Sequence, residues 1–131
     1  EIADYMADLS MCCFVSDYDH NAPNAEHLEK THYPLYLKIR EKHPKIPYIM
    51  ISRPDIRLGN RSDVSKRLEV VKKSYEKAIE NGDKNVYFID GSKFFEGLNS
   101  DECTVDGTHP TDLGFYRMSE IIGNTLKKVL F

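Results

Sequence analysis

Three short, unbroken apolar runs constrain this chain more than anything else in it: Met11–Val15, Pro47–Ser52 with Tyr-Ile-Met-Ile at its heart, and Asn85–Asp90 with Val-Tyr-Phe-Ile. Side chains along a strand point alternately to the two faces of its sheet. A run that is apolar without alternation therefore reads as a strand covered on both faces. Helical patterns separate the runs. Ala25–His43 places Leu28, Thr31, Leu35 and Ile39 on one stripe, and Pro34 is expected to kink or split it. Ser62 is expected to cap a second helix in which Val64, Leu68, Val71, Tyr75 and Ile79 recur at helical spacing, stopped by Gly82. Glu1–Leu9 reads as a helix tail with Ile2, Tyr5, Met6 and Leu9 on one side, and Thr111 to about Phe131 as a last helix. Strands joined through helices need crossovers, so the sheet is parallel and the crossovers right-handed.

The expected fold is therefore α/β, in a single domain over 1–131. Three strands are few for an open sheet of this kind. The opening strands are expected to lie upstream of Glu1, leaving the apolar edge of Met11–Val15 unpaired and open to a second copy, as a homodimer.

Composition removes several function classes. A chain of 131 residues is one domain or part of one. Its net charge is −3, with Lys and Arg scattered, which argues against a dedicated nucleic-acid surface. No apolar run approaches the roughly 20 residues that a membrane helix needs. No signal peptide is visible in a sequence that begins at Glu1. The three cysteines, Cys12, Cys13 and Cys103, are odd in number and form no Cys-x-x-Cys. They read as free thiols, a weak pointer to a reducing, cytoplasmic setting.

The chemistry gathers in Asp106-Gly107-Thr108-His109-Pro110, directly before the last helix. An Asp-x-x-His turn can aim a carboxylate and an imidazole at one point. Asp106 holding one ring nitrogen would leave the other free to take a proton, the base and orienter of a nucleophilic hydrolase. Open parallel sheets build sites at the carboxyl ends of their strands. Four loops are expected there: 16–24, 52–55, 90–92 and 106–110. In the first, Asn21 can donate its amide to a developing oxyanion. Asp17, Asp19 and His20 can be ligands or loop-stabilising groups, since Asp and Asn after a strand also make simple turns. Arg53 can bind a substrate carboxylate or phosphate, or form a structural salt bridge. His27, His32 and His43 read as solvated or partly packed helix residues. Of Phe94 and Phe95, one is expected in the core and the other on a pocket wall.

These residues resemble the SGNH, or GDSL-like, hydrolases, which are serine esterases and lipases on a flavodoxin-like three-layer α/β/α fold. The family's last motif matches Asp106, His109, Pro110 and, in the helix, Gly114. Its third, a Gly-x-Asn-Asp loop, corresponds to Asp19-His20-Asn21-Ala22: Asn21 fits, Asp19 replaces the glycine and Ala22 the aspartate. The Gly-Asp-Ser block carrying the nucleophile is absent, as is a Gly-x-Ser-x-Gly elbow.

The resemblance implies a C-terminal portion of such an enzyme, holding the third to fifth strands. It implies His109 as general base and acid, Asp106 as its orienter and Asn21 as oxyanion donor, with Asp19, His20 and Arg53 as candidates for substrate binding. The implied reaction is hydrolysis of a small-molecule ester, with short acyl groups and a carbohydrate as the favoured class, and no metal or cofactor. The 131 residues alone are expected to be nearly inactive. Two other readings stand beside it. One is a metal-dependent phosphoesterase using Asp17, Asp19, His20, Asp106 and His109. The other is a non-catalytic flavodoxin-like binding module.

Overall fold

Each of the three apolar runs forms a strand, shorter than its run. The computed structural model describes residues 1–54 and 61–131. In chain order the elements are α1 (Ile2–Ala7), β1 (Phe14–Ser16), α2 (Ala25–Lys42), β2 (Tyr48–Ile51), α3 (Arg61–Glu80), β3 (Val86–Ile89) and α4 (Asp112–Leu130). The strands form one parallel sheet in the order β1-β2-β3, with Val15 opposite Ile49 and Ile49 opposite Tyr87. Asp55, the last residue of the expected 52–55 loop, lies outside the described residues. So does the side chain of Ser62, whose backbone sits inside α3 rather than ahead of it.

Alternation sorts the strand residues into two cores. Tyr48 and Met50, with Phe14, Val86 and Phe88 beside them, pack under α1, α2 and α3 through Leu28, Tyr36, Ile39, Val71 and Ala78. Ile49, Ile51 and Ile89 face the other way, onto Phe94, Phe95, Cys103 and the apolar side of α4. This is the expected three-layer α/β/α arrangement. Truncating one fully buried aliphatic here, such as Leu28 or Ile39, costs about 2–5 kcal/mol. The two faces are not equally closed. On the α4 side Leu113, Met118, Ile121, Ile122, Leu126 and Val129 are only partly buried, and Val15 on β1 is 39% exposed.

Several expectations are corrected. Pro34 does not split α2, which runs on through it. Pro34 lies on the exposed side, where one missing backbone hydrogen bond is offset by unbroken packing on the buried side. That buried side carries Leu28, His32, Tyr36 and Ile39, so His32 is a core residue. The buried stripe of α3 is Arg67, Val71, Ser74 and Ala78, rotated from the apolar one, and Ile79 is exposed. On α1, Ile2 and Tyr5 face solvent and the buried residue is Ala7. Phe94 and Phe95 both belong to the core, and Cys103 is fully buried. All three cysteines are free. No described helix is long and apolar enough to cross a membrane.

Candidate active site

The Asp106–Pro110 loop is built almost wholly from its own neighbours. Cys103 O accepts from Thr111 N at 2.9 Å, and His109 O accepts from Val105 N at 2.9 Å. Thr104 and Pro110 form an antiparallel bridge. Thr111 Oγ1 donates to Glu102 O at 2.7 Å. The chain thus doubles back as a small hairpin with Asp106–His109 at its tip. Gly107 turns the tip with φ +82°, a left-handed conformation that a side chain disfavours.

Within the tip, Asp106 Oδ1 accepts from Thr108 N and His109 N, each at 2.9 Å. Its Oδ2 lies 2.7 Å from His109 Nδ1. The His109 backbone N–H, the His109 ring and the Thr108 N–H together hold the Asp106 carboxyl down at about 2. An ionised carboxylate only accepts, so Nδ1 carries the hydrogen. Nε2 of the neutral ring keeps its lone pair for a proton. The pair faces solvent, with side-chain exposures of 77% for His109 and 53% for Asp106.

Behind the tip, Thr111 caps α4 by accepting from Gly114 N at 3.3 Å. A Cβ on Gly114 would stand 2.1 Å from Cys103 O, so only glycine lets α4 start this close to the hairpin. Arg117, one turn further on, ties α4 to the preceding loop through Phe95 O, Leu98 O and Cys103 Sγ.

The second loop follows β1 and is held from outside. Asp19–Asn21 form a 3₁₀ turn, closed by Asn21 N donating to Tyr18 O at 3.0 Å and Ala22 N to Asp19 O at 3.3 Å. Asp19 has no exposed surface to offer a ligand, unlike the substrate-binding role expected for it. Its Oδ2 accepts from Arg53 N at 2.7 Å, and its Oδ1 lies 3.5 Å from Arg67 Nη1, beyond hydrogen-bonding geometry but within an ion pair. Burial raises the Asp19 carboxyl despite the opposing pull of Arg53 and Arg67.

The two loops meet at one cleft of about 360 Å³. Asp17, His20 and Asn21 line one side and Thr108, His109 and Pro110 the other, with Pro54, Phe115 and Met118 completing the wall. Asn21 is exposed there. Burial, then the positive charges of Arg53 and Arg67, push the His20 imidazole down to about 4. His20 is therefore neutral above that pH and can both donate and accept. Burial and the Asp19 carboxylate raise Asp17.

Of the four expected loops, 90–92 does not line the cleft, and Arg53 contributes its backbone N–H to Asp19 rather than a lining side chain. Phe115 and Met118 were not legible as site residues. Their only signal was position, in the first two turns of the helix that the His109 loop begins. Among the described residues no serine or cysteine lines the cleft. Ser16 is buried, and Ser52 is buried with its Oγ accepting from Gly91 N at 2.9 Å. The metal-dependent reading loses its donor set: Asp19 is turned inward, and among the described residues no three His, Cys, Asp or Glu side chains are grouped to hold an ion.

Comparison with known proteins gives the family and the fold. The family model of the GDSL-like lipase/acylhydrolase family matches residues 1–127. A search of the curated proteins gave no match. Among solved structures, a protein from Bacteroides ovatus ATCC 8483 described as a GDSL-like lipase is 32% identical, with a TM-score of 0.86 over 98% of this chain and 39% of its own. A salicylyl-acyltransferase from a tetracycline biosynthetic pathway is 20% identical, with a TM-score of 0.74 over 98% of this chain and 42% of its own. An active site mutant of a family two carbohydrate esterase from Clostridium thermocellum is 15% identical, with a TM-score of 0.70 over 95% of this chain and 37% of its own. The chain thus spans about two-fifths of these structures. With an α/β fold, an Asp-x-x-His hairpin at the head of α4 and a family match over nearly its whole length, the chain belongs to the GDSL-like lipase/acylhydrolase family.

Proposed function

We propose that these 131 residues are the C-terminal portion of a GDSL-type serine esterase and supply everything but its nucleophile. The observation that carries this is the single cleft into which Asn21 and His109 both project, with His109 Nδ1 already engaged by an ionised Asp106. The serine comes from a segment outside this sequence.

The steps follow from these positions. His109 Nε2 takes the serine proton as the hydroxyl oxygen attacks the ester carbon. Asn21 donates its amide hydrogen to the oxyanion that forms. Collapse expels the alcohol, which takes the proton from His109 and leaves an acyl-enzyme. His109 then deprotonates a water, whose oxygen attacks the acyl carbon; collapse expels the serine oxygen, which takes that proton back from His109, and the carboxylic acid leaves. Asp106 fixes the tautomer and stabilises the imidazolium throughout. No step requires a metal or cofactor.

A cleft of about 360 Å³ suits a short acyl group against Phe115, Met118 and Pro110. Neutral His20 is placed to hydrogen-bond hydroxyls of a carbohydrate leaving group, and Arg53 remains a candidate near its rim. The likeness to a carbohydrate esterase supports that class.

The test is hydrolysis of p-nitrophenyl acetate by the full-length protein. His109→Ala is expected to lower kcat about 10⁶-fold. The 131 residues alone are expected to show only background hydrolysis. A His109-dependent rate from them alone would place the nucleophile inside this sequence and sink the proposal.

A further inference from the structure

The turn that carries Asn21 is held by more than its own two backbone hydrogen bonds. Its two ends, the carbonyls of Asp19 and Ala22, both accept from one nitrogen: Arg67 Nη1, at 2.7 Å and 3.0 Å. Arg67 reaches them from α3, 48 residues along the chain, and is only 5% exposed. Its other edge is fixed too, with Nε donating to Asp63 Oδ2 at 2.5 Å. A buried guanidinium on a helix face is an expensive way to fill a core, yet this one is spent on the two carbonyls that bracket Asn21.

We propose that Arg67 is a positioning residue for the oxyanion site, fixing the 19–22 turn so that the Asn21 amide stays aimed into the cleft. This rests on the reading of Asn21 given above. A planar fork can hold Asp63 with one nitrogen and both carbonyls with another. A lysine ammonium has a single nitrogen and cannot stand beside Asp63, where Nε is, and beside the two carbonyls, where Nη1 is, at once. An error of about 1 Å in a catalytic donor can cost about a hundredfold in rate.

The experiment is a double-mutant cycle in the full-length protein with p-nitrophenyl acetate. Arg67→Lys is expected to lower kcat about ten- to a hundredfold, with KM changed less than about threefold. In an Asn21→Ala background the same change is expected to cost less than about threefold, because the donor that Arg67 aims is gone. An equal loss in both backgrounds overturns the proposal, since Arg67 then acts through the fold at large. Asn21→Ala alone leaving kcat unchanged overturns the oxyanion reading itself, a separate result. If Arg67→Lys does not fold, Asp63→Asn loosens only the Nε end and is read across the same two backgrounds. A loss confined to the protein with Asn21 supports the proposal; an equal loss, or none in either, overturns it.

Discussion

The two loops that meet at the cleft are held by opposite means. The Asp106–Pro110 hairpin is exposed and tied by hydrogen bonds within a few residues, from Asp106 to Thr108 and His109 and from Val105 to His109. The Asp19–Ala22 turn is anchored in the interior by Arg53 and Arg67, which arrive from β2's far end and from α3. The proposed base is thus placed by local sequence, and the proposed oxyanion donor by tertiary structure. Damage to the first should therefore cost chemistry and spare stability, while damage to the second should cost both.

The sharpest way to break this contrast is Asp106→Asn in the full-length protein. An amide at this position can no longer fix the His109 tautomer, and kcat is expected to fall about 10⁴-fold. The side chain is exposed, so the melting temperature is expected to stay within about 2 °C. A large thermal shift would show that the hairpin is also a structural keystone. Asp19→Ala tests the other side. It leaves Arg53 N without its acceptor and removes the more distant of Arg67's two carboxylate partners, and is expected to destabilise by about 1–3 kcal/mol in chemical denaturation. A loss under about 1 kcal/mol would mean that the turn, too, is locally held.

A smaller effect tests the interior alone. His32 is 1% exposed with neither ring nitrogen hydrogen-bonded, and burial pushes it down to about 4 from 6.5. Because the folded value is the lower one, its contribution is intact above about pH 6.5 and lost as pH falls toward 4. His20 has the same sign, while Asp106 works in a different window: its stabilisation is present above 3.8 and fades only as pH falls through about 2. His32→Leu is expected to stabilise the fold by about 1–2 kcal/mol and to flatten the loss of stability between pH 6.5 and 4, read from denaturation curves at several pH values. An unchanged slope would assign that acid sensitivity to His20.

The strands were legible because apolar runs of this length have few other places to go. Their ends were not, since ladder hydrogen bonds rather than hydropathy decide where pairing stops; β1 begins at Phe14, not Met11. The buried face of α3 was misjudged for a related reason. Apolar spacing pointed to Leu68 and Tyr75, but the turn after β1 needs a donor, and so the stripe with Arg67 is the one that faces inward. In α2 the same rotation buries His32 and Tyr36, the latter through its hydroxyl donating to Asp83 Oδ2 at 2.6 Å.

By itself the sequence determined the parallel α/β layering and the Asp106–His109 pair. The pair follows from spacing within one loop, and the layering from local apolar patterns that only a sheet covered by helices on both faces can bury. Only the tertiary structure decided that Asn21 and His109 share one cleft with Phe115 and Met118, that Asp19 turns inward, and that Arg67 holds the turn between them. Those contacts join distant segments. Their geometry depends on how helices seat against a sheet, which no local pattern encodes.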